Sequence, residues 1–130
     1  LRFFALYDEH KKYGGRLAKF LNEYMADNRN ISVAQSDLKR ALFGRTVTLV
    51  LHKLFDGKAP IKAPISVTEA VLVGVAKHID TLENVDSRAL KLKYENLLQH
   101  VEFSDQKLSE GLSGKLRVIG RIDAAIDIFA

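Results

Sequence analysis

Apolar positions recur along the chain mostly at intervals of three and four, the period of an α-helix, and a single proline-bearing segment, Asp56–Pro64, divides them into two blocks. Proline removes a backbone donor and restricts the residue before it, so Pro60 and Pro64 mark a loop. The first block predicts three helices. Residues 1–12 run up to Tyr13-Gly14-Gly15, where glycine stops a helix. Residues 16–28 set Leu17, Phe20, Leu21 and Tyr24 on one stripe, broken by Asp27-Asn28-Arg29-Asn30. Ser32 is placed to cap a longer helix over 33–55 that carries Leu38, Ala41, Leu42, Leu49 and Leu54. Thr46–Leu51 is rich in β-branched residues and could pair as a strand with Val71–Val75, but a buried helix is the preferred reading of both runs.

In the second block Ser66 and Glu69 have capping-box spacing ahead of a helix over 67–82. That helix is apolar on nearly every side through Ala70, Val71, Val73 and Val75, which belongs in the middle of a bundle. Asp86 or Ser87 opens a helix over 87–101 with Leu90, Tyr94, Leu97 and Val101 facing inward, and residues 103–111 read as polar and irregular. Ser113 is placed to cap the last helix, 113–129, whose inner positions are Leu116, Ile119, Ile122, Ile126 and Phe129. The pattern therefore predicts an all-α fold: one domain over 1–130, built as a single bundle of about six helices with no sheet.

Composition narrows the chemistry. The absence of cysteine excludes a disulfide scaffold, a zinc–thiolate site and a cysteine nucleophile. No apolar run approaches the roughly twenty residues of a membrane span, so a soluble, cytoplasmic chain is expected. The opening run Leu1–Leu6 is apolar with no capping residue ahead of it, which points to a piece of a longer protein. The net charge of +4 is uneven: residues 1–64 hold 12 Lys or Arg against 6 Asp or Glu, and residues 65–130 hold 8 against 10. A basic first half is compatible with an anionic partner or with a lopsided solvated surface.

The motifs that would carry catalysis are incomplete. Gly111-Leu112-Ser113-Gly114-Lys115 resembles a phosphate loop, but Ser109 stands where the first glycine belongs and Leu116 where the hydroxyl belongs. Glu9-His10-Lys11 and Asp105-Gln106-Lys107 match the short triplet of metal-dependent nucleases, but the first has almost no chain before it and the second could borrow only Asp86 or Glu95 from a predicted helix, so solvated charge is the preferred reading. His10, His52, His78 and His100 lack the spacing of a metal-binding helix face; His52 and His78 fit hydrogen-bonded core or boundary positions. Asp123 and Asp127, with Arg117 and Arg121, fit an exposed helical charge ladder. No catalytic residue, metal or cofactor is expected here. The one binding surface the residues predict is basic: Lys39, Arg40, Arg45 and Lys53 on the long helix, joined by Lys11, Lys12, Arg16 and Lys19, as phosphate contacts for nucleic acid.

Three stretches resemble a known family. They are Tyr13–Met25 with Arg2-Phe3-Phe4-Ala5 before it, Ile65–Ala76, and Leu112-Ser113-Gly114-Lys115 through Val118 to Arg121-Ile122 and Ala125-Ile126. In order and spacing they resemble the helical region of domain-of-unknown-function family 262, the ParB/sulfiredoxin-like group that includes the GmrS half of the GmrSD modification-dependent restriction system. The resemblance implies a C-terminal helical module of a bacterial or archaeal anti-phage protein, packed against an upstream nuclease or NTPase domain. It implies DNA or a second copy as further partners, and no membrane. The family's Asp-Gly-Gln-Gln-Arg motif and its histidine-asparagine-histidine nuclease signature are absent from these residues, so no catalytic role carries over. At its aromatic-basic corner this chain has Pro60-Ile61. The resemblance gives structural roles to Asn22, satisfying a backbone group between helices, to Ser113, capping the final helix, and to Arg121, reaching a carboxylate or a helix C-terminus. The alternative function is a protein-interaction bundle with no nucleic-acid role.

Overall fold

A computed structural model describes residues 1–58, 63–109 and 111–130, and among them every regular element is helical. Eight α-helices follow in order: α1 (Arg2–Glu9), α2 (Leu17–Asp27), α3 (Val33–Leu49), α4 (Ile65–Lys77), α5 (Ile79–Leu82), α6 (Ser87–Leu98), α7 (Asp105–Ser109) and α8 (Lys115–Ile128). The all-α reading holds, and Thr46–Leu51 is helical with Thr46, Leu49 and Val50 buried. The element count exceeds six because two expected helices divide. His78 breaks the expected 67–82 helix into α4 and α5, and the 87–101 helix ends at Leu98 before a 3-10 turn at Val101–Phe103. Within 103–111, expected to be irregular, Asp105–Ser109 forms one short helix. The Pro60 and Ile61 corner lies outside the described residues.

The element ends follow local chemistry. Ser32 and Gln35 complete a capping box at α3, each side chain receiving the other residue's backbone N–H. Asp86 Oδ1 accepts the Ala89 N–H at 2.8 Å to start α6. Past Leu49 the α3 backbone widens into a π-helical turn, Val50–Leu54, and Asp56 and Gly57 then stop it with positive φ of 54° and 81°.

Two expected caps are corrected. α4 begins at Ile65 behind Pro64, whose carbonyl receives the Val67 and Thr68 N–H groups, so Ser66 already lies inside the helix and its hydroxyl has no partner among the described residues. Glu69, freed from a capping role, pairs with Arg2 at 2.7 Å. At α8 the cap position belongs to Gly114, not Ser113.

α4 is the central rod, as its all-round apolar sequence requires: Val67, Ala70, Val71, Val73, Gly74, Val75 and Ala76 are all buried. Its closest neighbour is α8, with α1 and α3 on its other sides and α6 against α8 and the π turn. α8 supplies Val118, Ile122, Ala124 and Ala125 to the same core, joined by Phe129 just past its end. Four expected apolar-stripe positions are corrected: Leu38 is 72% exposed, Val101 60% and Leu116 77%, where the bundle stops short of them, and Ala41 is exposed as well. No helix among the described residues is long and apolar enough to cross a membrane.

Candidate functional site

The expected basic surface is taken apart by the tertiary structure. Lys39 turns inward to Asp8 on α1 at 2.5 Å and lies 3.3 Å from the Tyr24 hydroxyl on α2. Tyr24 in turn donates to Asp8 at 2.5 Å. Burial, then the Asp8 hydrogen bond, pushes the Tyr24 hydroxyl up to about 12. Arg45 is held by Glu83 and by Asp80 of α5, and this exposed pairing lowers the pKa of the Glu83 carboxyl. Lys53 caps the end of that segment, donating to the carbonyls of Glu83 and Val85 at 2.8 and 2.6 Å.

Lys11 sits elsewhere, reaching Asp123 of α8 at 2.5 Å beside His10, whose Nε2 lies 2.8 Å from the same carboxylate. Burial would raise the Asp123 pKa, but the hydrogen bonds from Lys11 and His10 outweigh it and hold the carboxyl below its ordinary value. Lys12 and Lys19 pair along their own turns with Glu9 and Glu23. Arg16 and Arg40 alone of the eight have neither a side-chain ion pair nor a side-chain hydrogen bond among the described residues. The eight cations therefore face several neighbours rather than one phosphate track.

The expected ladder on α8 is corrected with them. Asp123 bonds across the bundle, and Arg121 is 4% exposed rather than solvated. Arg121 Nη2 donates to the Leu112 carbonyl at 2.6 Å, so its target is the loop before its own helix and not a helix C-terminus. Burial depresses the Arg121 pKa, partly offset by the negative charges of Glu69 and Glu102. Its Nη1 and Glu102 Oε2 are buried without hydrogen-bond partners among the described residues. Ser113 contributes its carbonyl, which accepts the Tyr13 hydroxyl at 2.5 Å. Asn22 is exposed and its side chain makes no hydrogen bond among the described residues, so the bridging role expected of it is not seen. Of the two histidines expected at core or boundary positions, His78 bonds the Ile126 carbonyl at 2.8 Å, whereas His52 is exposed; the buried histidine is His10.

Sequence reasoning missed an apolar groove where α1, α3 and α4 meet. It encloses about 510 Å³ and is lined by Leu1, Phe4, Phe43, Ile65 and Leu72, with Arg2 and Glu69 paired at its edge. Phe43 packs at 5.1 and 5.9 Å, ring centre to ring centre, from Phe3 and Phe4, yet stays 39% exposed. A second cavity of about 310 Å³ adjoins it, sharing Phe4 and Phe43 and adding Tyr24, Ile31, Lys39 and Arg40. The signal was present in α3. Phe43 and Val47 fall well off the stripe of Leu38, Leu42 and Leu49, so this helix is apolar on two sides. The bundle buries only Thr46 and Leu49 of its 17 residues.

Among the described residues, no group of three or more His, Asp or Glu converges as a metal site would. The arrangement offers an aromatic, mainly apolar groove with cations at its margin, in the size range of about 300–1,000 Å³ typical of ligand sites. No family model, curated protein or solved structure matches the chain.

Proposed function

We propose that this chain is the helical module of a GmrS-like modification-dependent restriction protein, and that it works by packing against the nuclease or NTPase domain of that protein. The observation that carries the reading is α3: a 17-residue helix with two buried residues, on which Val33, Phe43 and Val47 stand exposed on one side and Leu38 on another. Large exposed apolar patches mark interaction surfaces. The stretches that carry the family resemblance support it further, because they form α1, α2, α4 and α8, which supply much of the core alongside α6 and the Leu49–Leu54 segment. Six of the eight candidate cations have internal partners, which favours a packing role over a DNA-tracking one.

The test is a chimera in which this chain replaces the helical region of a GmrS-like protein, scored by plating of phage with modified DNA. Restriction is expected to survive the exchange and to be lost when Leu38→Asp and Phe43→Asp are introduced together. A folded chimera that never restricts would overturn the proposal.

A further inference from the structure

The two cavities share Phe4 and Phe43 as common lining, and among the cations around them one is left unmatched. Arg2, Lys39 and Arg40 line them against one carboxylate, Glu69. Arg2 is matched by Glu69 at 2.7 Å, and Lys39 by Asp8 at 2.5 Å. Arg40 lies on the exposed surface of α3, lines the second cavity and has no ion-pair partner among the described residues. In the aromatic floor Phe3, Phe4 and Phe43 contact one another, with ring centres 5.1 to 5.9 Å apart. An occupant that gains from this surface must cover apolar rings and bring its own negative charge to Arg40. Nucleic acid fits it less well, since the floor is apolar and the other two cations are already neutralised.

We infer that this groove receives an apolar polypeptide segment bearing carboxylates, its Leu, Ile or Phe side chains seated on Phe4 and Phe43 and an Asp or Glu paired with Arg40. The inference rests on the packing role proposed above and adds the chemistry of the partner surface.

Panning the full chain against a phage-displayed library of random 16-residue peptides tests it. Enriched peptides should combine large apolar residues with Asp or Glu, and should bind Arg40→Glu and Phe43→Asp at least about tenfold more weakly than the parent chain. If thermal melting shows that Phe43→Asp does not fold, Ile65→Asp replaces it, since Ile65 is 77% exposed. Enrichment without acidic residues, binding indifferent to Arg40→Glu, no enrichment over the groove variant, or displacement of the selected peptides by duplex DNA would each overturn the inference. The chimera assay separates the two proposals: acidic peptides selected on the groove by a chain that fails to support restriction would sink the restriction role and leave the groove chemistry standing.

Discussion

Gly74 of α4 faces the backbone of Ala125 of α8 so closely that a methyl group at position 74 would lie 2.8 Å from both the carbonyl carbon and the carbonyl oxygen of Ala125. The contact joins the two helices that pack most extensively in the bundle, and it is made with rigid backbone that cannot rotate away.

Gly74→Ala should therefore destabilise the chain by about 1–3 kcal/mol through overpacking, despite the better helix propensity of alanine. Gly44 is the internal control. It lies within α3, where an added methyl would meet nothing within 4 Å, so Gly44→Ala should stabilise by about 0.5–1 kcal/mol. Urea denaturation of both variants reads the two signs, and equal effects would show that the α4–α8 contact is looser than described.

The Tyr24–Asp8–Lys39 cluster ties α1, α2 and α3 together and predicts an alkaline limit. The folded Tyr24 hydroxyl is pushed up to about 12 from an ordinary value of 10.0, so the folded state holds its proton more tightly than the unfolded chain does. That contribution is fully present below pH 10 and is lost as pH rises towards 12. Stability measured by urea between about pH 9 and 12 should fall more steeply for the parent chain than for Tyr24→Phe. Parallel slopes would remove the linkage.

Arg121 is a buried cation facing Glu69 and Glu102, with Leu112 as its hydrogen-bond acceptor. Replacing it with Met of comparable length leaves Glu102 without its neighbouring cation, while Glu69 keeps Arg2, and the Leu112 carbonyl without its Arg121 donor. A loss of about 3–5 kcal/mol is expected, the range for breaking a buried charge arrangement from one side. The double variant Arg121→Met, Glu102→Gln should recover part of that loss, read as a thermodynamic cycle. No recovery would mean that Glu102 does not face Arg121 energetically.

Duplex DNA discriminates the packing role from a phosphate-contacting one. If only Arg16 and Arg40 are available, the slope of log K against log salt should be about −2, whereas all eight cations acting together would give about −7. Fluorescence anisotropy between about 50 and 200 mM salt measures it, and the steeper slope would restore the basic surface read from the sequence.

Helix positions were legible because they depend on neighbours three or four residues away. The 16–28 helix emerged as Leu17–Asp27, and the cap roles of Ser32 and Asp86 are local hydrogen bonds that spacing alone specifies. The Ser66 reading failed at the same level, because Pro64 started α4 first and its carbonyl took the hydrogen bonds. Leu38, Val101 and Leu116 have helical spacing too, but a stripe does not show where the covering helix ends.

Residue order alone was enough to make this chain helical, to place most helix ends, and to require that the 67–76 run be buried, since a helix with no polar face has nowhere else to go. What the charges do was settled by packing. His10 and Lys11 meet Asp123 across more than a hundred residues, Arg45 and Lys53 close on the Glu83 turn, and Arg121 enters the core. The groove over Phe4 and Phe43 belongs to the same class. It exists where three helices meet, and contacts between distant segments come from the three-dimensional arrangement of the helices rather than from any period along the chain.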